Sequence, residues 1–515
     1  MQLSRRACGS SERANPFADI IRAMPDGAAK LLLLLILGCI FLQAEPIKPH
    51  PANSHYFLYQ GKPAILITSA EHYGAVINKA FNYVPYLDTL KMHGLNYTRF
   101  YPGAMFETID KFITGNPLGP KPRDLIVPWA RSDQPGYLAG GNKFDLDRWN
   151  PDYFGRLKDF LGKAAERGIV VEICFFNSQY SDTWPISPLY YENNIQGEGR
   201  CGWRDAQTLK YADLVRREDD YVRKITQEVN DFDNVILEIC DEAASIGTGV
   251  ALAGPWVGHL VGVVKNTEHD LPNKHLIAQE VEGPFGGPMD FSADPRVSII
   301  TAQYLWGPEP DAHGGEMGGM RALDYKYRLN KPIELNETDW YPWGYRGDKL
   351  ADSRVEAWEF ILGGGAGFNH LNGLYTPENP AGKSSENDRL LGVLENLKNF
   401  MYGFDFLRMR PDPAFLVDGL SASHIYYRAI SEPGQQYALY IHHSSERSGS
   451  YIVAPGTYRE ELMLKLPAGS YQADWVDPAS GSIASSERFK YDGGNRKMNT
   501  PTYVVDVALR IKRVK

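Results

Sequence analysis

Cysteine is scarce. Five occur in 515 residues, with Cys8 and Cys39 near the N-terminus and Cys174, Cys201 and Cys240 widely spaced beyond them. So few and so scattered thiols exclude a disulfide framework or a zinc knuckle. Cys174 and Cys240 sit inside apolar runs and read as small buried residues. The hydrophobic run at 31–44 is only 14 residues and is broken by Gly38 and Gln43, too short to span a bilayer comfortably. Basic runs are missing too. With 54 Lys and Arg against 63 Asp and Glu, the net charge of −9 argues against a nucleic-acid partner. The 12 histidines are scattered, with no His-Glu-x-x-His and no His-x-His after the first predicted strand, so no metal site of the barrel metallohydrolase type is expected. No Gly-x-Ser-x-Gly elbow offers a serine nucleophile, and no Gly-rich phosphate fingerprint follows the first strand. No cofactor is expected, and the composition suits a neutral or weakly charged ligand.

What is present begins with a targeting signal. Lys30 precedes the 31–44 run, which closes on Leu42-Gln43-Ala44 before Glu45, the pattern of a cleaved secretory signal. Residues 1–44 are therefore expected to be leader and signal peptide, and the mature chain secreted or periplasmic with no stable membrane span. Arg5, Arg6 and Arg22 make the leader long, so translation from Met24 is an alternative, as is lipoprotein anchoring through Cys39.

From 57 to about 375 the chain repeats a strand followed by a helix. Strands are predicted at 64–68, 95–100, 169–176, 234–241, 275–279, 297–303, 332–337 and 365–370. Helices between them carry start and stop signals: Tyr83, Leu87 and Leu90 share one face before Gly94, and Asn150-Pro151 opens a helix closed by Gly168. Eight such units in roughly 310 residues imply parallel strands with right-handed crossovers, and favour a (β/α)₈ TIM barrel over an open doubly wound sheet. After a closing helix around 390–400, Arg408-Met-Arg-Pro-Asp-Pro413 reads as a junction. Alternating segments at 424–430, 437–441 and 471–475 then predict a small all-β sandwich. The expected boundaries are 45–410 for the barrel and 411–515 for the sandwich. The sandwich is expected to brace the barrel, with carbohydrate binding through Tyr426, Tyr440 or Trp475 as the alternative.

Active sites of such barrels lie at the C-terminal ends of the strands. Those ends supply His72 and Tyr73, Arg99 and Tyr101, Asn177 and Trp184, Asp241 and Glu242, Glu280 and Glu282, Tyr304 and Trp306, Glu337 with Asp339 and Trp340, and His370 with Asn372. The mouth is acidic and aromatic, which suits carbohydrate: aromatic faces stack on sugar rings while carboxylates and amides bond hydroxyls.

Two motifs carry a resemblance to a known group. Glu238-Ile-Cys-Asp-Glu242 resembles the fourth-strand signature of the clan A glycoside hydrolases, and Lys331-Pro-Ile-Glu-Leu-Asn-Glu337 is similar to their seventh-strand motif. Tyr59-Gln-Gly-Lys-Pro63 and the tail around Leu466-Pro-Ala-Gly also resemble secreted cellulase-like and apiosidase-like members, whose barrel precedes a β-sandwich. The resemblance implies Glu242 as general acid/base, Glu337 as nucleophile, Arg99 as the arginine that orients it and Tyr304 as its hydrogen-bond partner. His72, Asn177, Trp306, Trp340 and His370 join Asp241 as expected substrate contacts. One position departs from the pattern. The clan has Asn where this chain has Asp241, and a carboxylate cannot donate to a sugar hydroxyl as an amide does.

Glycosidic cleavage needs an acid to protonate the leaving oxygen and a carboxylate across the anomeric carbon. Strands four and seven face each other across the mouth, so Glu242 and Glu337, 95 positions apart, fit a retaining double displacement with carboxyl groups about 5 to 5.5 Å apart. Glu242 is expected to be protonated beside an ionised Glu337, which Arg99 favours. Strand alternation is expected to set Glu334 and Glu337 on opposite faces and to bury Glu238 in the interior beside Arg99. A catalytically inactive carbohydrate-binding barrel is the second reading, and an adhesion or structural protein the third.

Overall fold

The computed structural model describes residues 45–108, 116–245, 247–306, 318–338, 349–420, 423–447 and 450–514. The expected signal segment lies outside them, as do Asp339 and Trp340. No helix among the described residues is long and apolar enough to cross a membrane.

The chain opens with a small antiparallel sheet, β1 (Lys48–His50), β2 (Asn53–Tyr59) and β3 (Lys62–Ala64). The barrel strands follow: β4 (Leu66–Ala70) and β5 (Tyr97–Phe100), then β8 (Val170–Asn177), β9 (Val235–Asp241), β10 (Leu276–Glu280), β11 (Ile299–Gln303), β12 (Ile333–Glu337) and β13 (Gly367–Leu371). They form one eight-stranded sheet whose pairings among the described residues are all parallel, running from β4 through β13 and back in descending order to β5. The two end strands meet at a seam tied by Asn96. Its backbone N–H reaches the Ile67 carbonyl, its Nδ2 donates to the Ile65 carbonyl, and its Oδ1 accepts from the Ile67 N–H. All eight predicted strands are present, within a few residues of their expected limits. The hairpin β6 (Trp129–Pro135) and β7 (Asn142–Trp149) was not expected, because its strands are polar and only partly buried.

Helices α1 (Tyr83–Met92), α2 (Pro151–Ala165), α3 (Ala212–Val229), α4 (Val250–His269), α5 (Gly319–Lys326), α6 (Lys349–Leu362) and α7 (Ser385–Tyr402) cover the sheet. In α2 the start signal works as expected: the Asn150 side chain accepts from the Asp152 N–H at 3.2 Å and Pro151 occupies the first turn, while Phe154, Leu157, Leu161 and Ala164 bury their face.

The antiparallel region begins at β14 (Arg410–Pro411). It continues through β15 (Leu416–Asp418), β16 (Ile425–Glu432), β17 (Gln436–Arg447), β18 (Ser450–Val453), β19 (Glu461–Leu466), β20 (Gly469–Val476), β21 (Ile483–Tyr491), β22 (Gly494–Asn499) and β23 (Asp506–Arg513). A larger sheet and the three-stranded β15–β19–β22 sheet enclose a core of Leu439, Ile441, Leu462, Leu464, Leu509 and Ile511. The architecture is a TIM barrel followed by a β-sandwich. The two halves meet along α6, where Trp358 stacks on Tyr440 with ring centroids 5.5 Å apart. Beside that pair Arg354 makes two 2.8 Å bonds to Asp506, and His442 lies 3.0 Å from Glu359. Of the three aromatics considered as sugar platforms, Tyr440 and Trp475 are consumed by packing, whereas Tyr426 stays partly exposed.

Candidate active site

Strand β9 is apolar apart from Glu238 and Asp241, and Asn234 anchors its start by donating to the Leu161 and Ile169 carbonyls. Its carboxylates then rise in three levels. Glu238 lies in the barrel interior, accepting from Arg99 Nε at 2.7 Å and from Asn336 Nδ2 at 2.9 Å. Asp241 lies above it and is held by three donors: Oδ1 accepts from Arg99 Nη2 at 2.8 Å, and Oδ2 accepts from the Tyr101 hydroxyl at 2.7 Å and from Asn177 Nδ2 at 2.9 Å. Glu242, half-buried at the rim, accepts from the Tyr180 hydroxyl at 3.1 Å.

Backbone strain marks the same rim. Tyr73, Glu242 and Tyr304 have φ of 56°, 50° and 56°, and each lies just beyond a barrel strand. A left-handed non-glycine residue costs roughly 1–2 kcal/mol and persists only where its surroundings hold it. For Glu242 the holders are carboxylates: Glu280 accepts its backbone N–H at 2.8 Å, and Glu282 accepts that of Ala244 at 3.0 Å. Glu280 and Glu282, expected at the mouth, thus brace the turn that presents Glu242.

On β12 the alternation expected to separate Glu334 from Glu337 is broken. The register with β11 slips between Ala302 and Gln303, so that Thr301 pairs with Glu334 and Gln303 with Glu337. Asn336 is the extra residue of a β-bulge, and both glutamates face the barrel axis. Glu334 sits deep, accepting from Thr301 Oγ1 at 2.8 Å. Glu337 lies above it, accepting from the Tyr73 hydroxyl and lying 3.5 Å from Arg99 Nη1. The Tyr304 backbone N–H donates to the Glu337 carbonyl at 2.8 Å. The hydroxyl on the Glu337 carboxylate is therefore that of Tyr73, which itself accepts from Arg99 at 2.9 Å.

One guanidinium serves many acids. Arg99 contacts Glu172, Glu238, Asp241 and Glu337 while fully buried. Burial opposes its charge, but Asp241 and Glu238 outweigh it and hold Arg99 above its ordinary range. Its attraction does not suffice for all its partners. Burial first, then the negative charge of Asp241, pushes Glu337 up to about 8, against the pull of Arg99 and the Tyr73 hydroxyl. Arg99 acts on Glu337 in the expected direction, toward its charged form, against burial and Asp241. Below it, burial lifts Glu172 to about 8 and Glu334 to about 7.

The remaining expected residues divide. Asn177 joins the site through Tyr101 and Asp241. His72 joins it through Glu107, 3.2 Å from Nε2, a carboxylate that also accepts from Asn116 Nδ2 at 2.8 Å and adds to the charge felt by both Glu337 and Tyr180. His370 does not reach the mouth. It faces α6 between Ser69 and Ser353, and burial lowers it to about 3, so it is neutral. Trp306 packs edge-on against Tyr451 of the sandwich, and Trp184 is buried with its Nε1 on the Cys201 carbonyl. Trp340 lies outside the described residues. Glu107 and Tyr180 were missed because they sit in loops several residues past a strand end, where no periodicity points at them. A register slip, similarly, leaves no trace in an apolar pattern.

No protein-family model matches this chain. No curated protein matches it either. Solved structures do. A structure described as a glycoside hydrolase superposes with a TM-score of 0.56 at 12% identity, covering 91% of this chain and 97% of its own. A family 5 glycoside hydrolase from Bacteroides vulgatus ATCC 8482 gives 0.56 at 13% identity, covering 91% and 93%. At these identities the likeness is one of fold, and it extends over both the barrel and the β-sandwich.

Proposed function

We propose that this protein is a secreted retaining glycoside hydrolase acting on a polysaccharide or oligosaccharide, with 45–410 as the catalytic barrel and 411–515 as a bracing sandwich. What supports the reading is the placement of Glu242 just beyond the end of β9 and of Glu337 at the end of β12, with each carboxylate accepting from a tyrosine hydroxyl. Similar folds described as glycoside hydrolases agree with it.

In the proposed reaction Glu242 protonates the leaving oxygen while Glu337 attacks the anomeric carbon, and Glu242 then activates the water that releases the sugar. Arg99 and Tyr73 orient Glu337, and both favour the charged form that attack requires. Glu280 and Glu282 hold the strained turn that aims Glu242. Asn177, Tyr101 and Asp241 form one hydrogen-bonded group at the same end of the barrel.

A panel of aryl glycosides and plant polysaccharides, incubated with the wild type, Glu242→Gln and Glu337→Gln, tests the reading. Turnover by the wild type alone is the expected result. The second reading, a barrel that binds carbohydrate without cleaving it, draws on the closer hold of Asp241 on Arg99. Binding by the wild type with no turnover across the panel would establish it instead.

A further inference from the structure

Gln303 ends β11 fully buried, and neither its Oε1 nor its Nε2 has a hydrogen-bond partner. Its neighbours differ. Gln279, near the end of the next strand, uses both ends of its amide on the Cys240 backbone, and Asn369 bridges the Ala70 N–H and the Asn336 carbonyl. A buried amide unpaired at both ends is rare and calls for a partner or a role.

The sheet register shows where this amide points. Thr301 and Glu334 are ladder partners that meet inside the barrel. Ala302 and Leu335 come next and face the helices, since Leu335 lies against Gly319 of α5. Gln303 is then the partner of Glu337 and shares its side of the sheet, the side on which Glu337 meets Tyr73 and Arg99. Adjacent strands lie about 4.8 Å apart. Gln303 is thus the next-strand neighbour of Glu337 on the inner side of the sheet, the side from which Glu337 attacks in the proposed reaction.

Asp241 cannot fill that role as a donor. Its oxygens already accept from Arg99, Tyr101 and Asn177, and a carboxylate has no proton to give. Gln303 offers an NH₂ group that donates and a carbonyl oxygen that accepts, so it can both give a hydrogen bond to a hydroxyl and take one from it. Resting on the glycoside hydrolase reading, we propose that Gln303 is a specificity-determining residue that binds the 2-hydroxyl of the sugar attacked by Glu337.

The test compares the 4-nitrophenyl glycoside of the sugar found in the panel with its 2-deoxy analogue, for the wild type, Gln303→Leu and Gln303→Glu. The expected result is that Gln303→Leu lowers kcat/KM on the hydroxylated substrate by about 10²-fold and shifts the ratio between the two substrates by about 10-fold or more. Gln303→Glu, which keeps an acceptor, should restore part of that preference, and Gln303→Leu should not melt below the wild type. An equal loss on both substrates, or an unchanged ratio because only a buried water completes the amide, overturns the proposal while leaving the hydrolase reading intact. Failure of the wild type to cleave any glycoside overturns both.

Discussion

Asp241 holds Arg99 more closely than Glu337 does, at 2.8 Å against 3.5 Å. The only guanidinium contacting these two side chains among the described ion pairs is thus shared unequally between the proposed nucleophile and a neighbour that the clan pattern would make an amide. Asp241 takes the strong contact and returns a negative charge. Arg99 still pulls Glu337 toward ionisation, but burial and Asp241 together win, and the nucleophile sits high.

The pH dependence of turnover follows. Attack requires Glu337 ionised, and its carboxyl is pushed up to about 8, so kcat/KM should climb with pH along an acid limb near that value. In Asp241→Asn the second-largest upward influence is gone, and the limb should move down by about one pH unit. Profiles of both proteins on one substrate decide this. A limb that stays in place would show that Asp241 does not set the nucleophile's charge.

The division of labour between the two glutamates can be read from leaving groups. Glu242→Ala should lose about 10²- to 10⁴-fold on glycosides with poor leaving groups, which need protonation. Formation of the glycosyl-enzyme from a dinitrophenyl glycoside should be much less affected. Equal loss on both would remove Glu242 from the acid role.

The barrel interior should also make stability depend on pH. Glu71, Glu172 and Glu334 are fully buried and raised, chiefly by burial, to about 8, 8 and 7. A proton binds each more tightly in the folded chain than in the unfolded one, where the value is 4.5. Their contribution is therefore complete below about pH 4.5 and is lost as pH rises through 7 to 8. The melting temperature should fall between pH 5 and pH 9 by roughly 3 °C or more. A rise over that interval would contradict the assignment.

Barrel and sandwich are joined by the Arg354–Asp506 pair, whose side chains are 7% and 3% exposed. Arg354→Ala leaves Asp506 buried with only the Tyr440 hydroxyl, 2.9 Å away, among its described hydrogen bonds. Loss of about 3–5 kcal/mol is expected, measured by denaturant unfolding. A change below about 1 kcal/mol would mean that water replaces the guanidinium there.

Much of this molecule was legible as pattern. Eight apolar runs spaced by helical segments required parallel crossovers, and that topology alone carried Arg99, Asp241, Glu242 and Glu337 to one end of a barrel. Local chemistry was legible too: Asn150-Pro151 opens its helix as its side chains dictate. His370 was misread because the last residues of a strand alternate between mouth and helix layer, and parity at a strand end depends on a register that the sequence does not display.

The sequence by itself determined the barrel, the sandwich and the two motif glutamates, because periodicity and turn chemistry are local properties of the chain. Only the tertiary structure decided which hydroxyl meets which carboxylate. The bulge at Asn336 turned Glu337 inward, Tyr73 came from the turn after β4 to serve it, and Gln303 was left beside it with an unpaired amide. Those outcomes depend on distances between strands far apart in the chain, and on how one buried positive charge is divided among the acids around it.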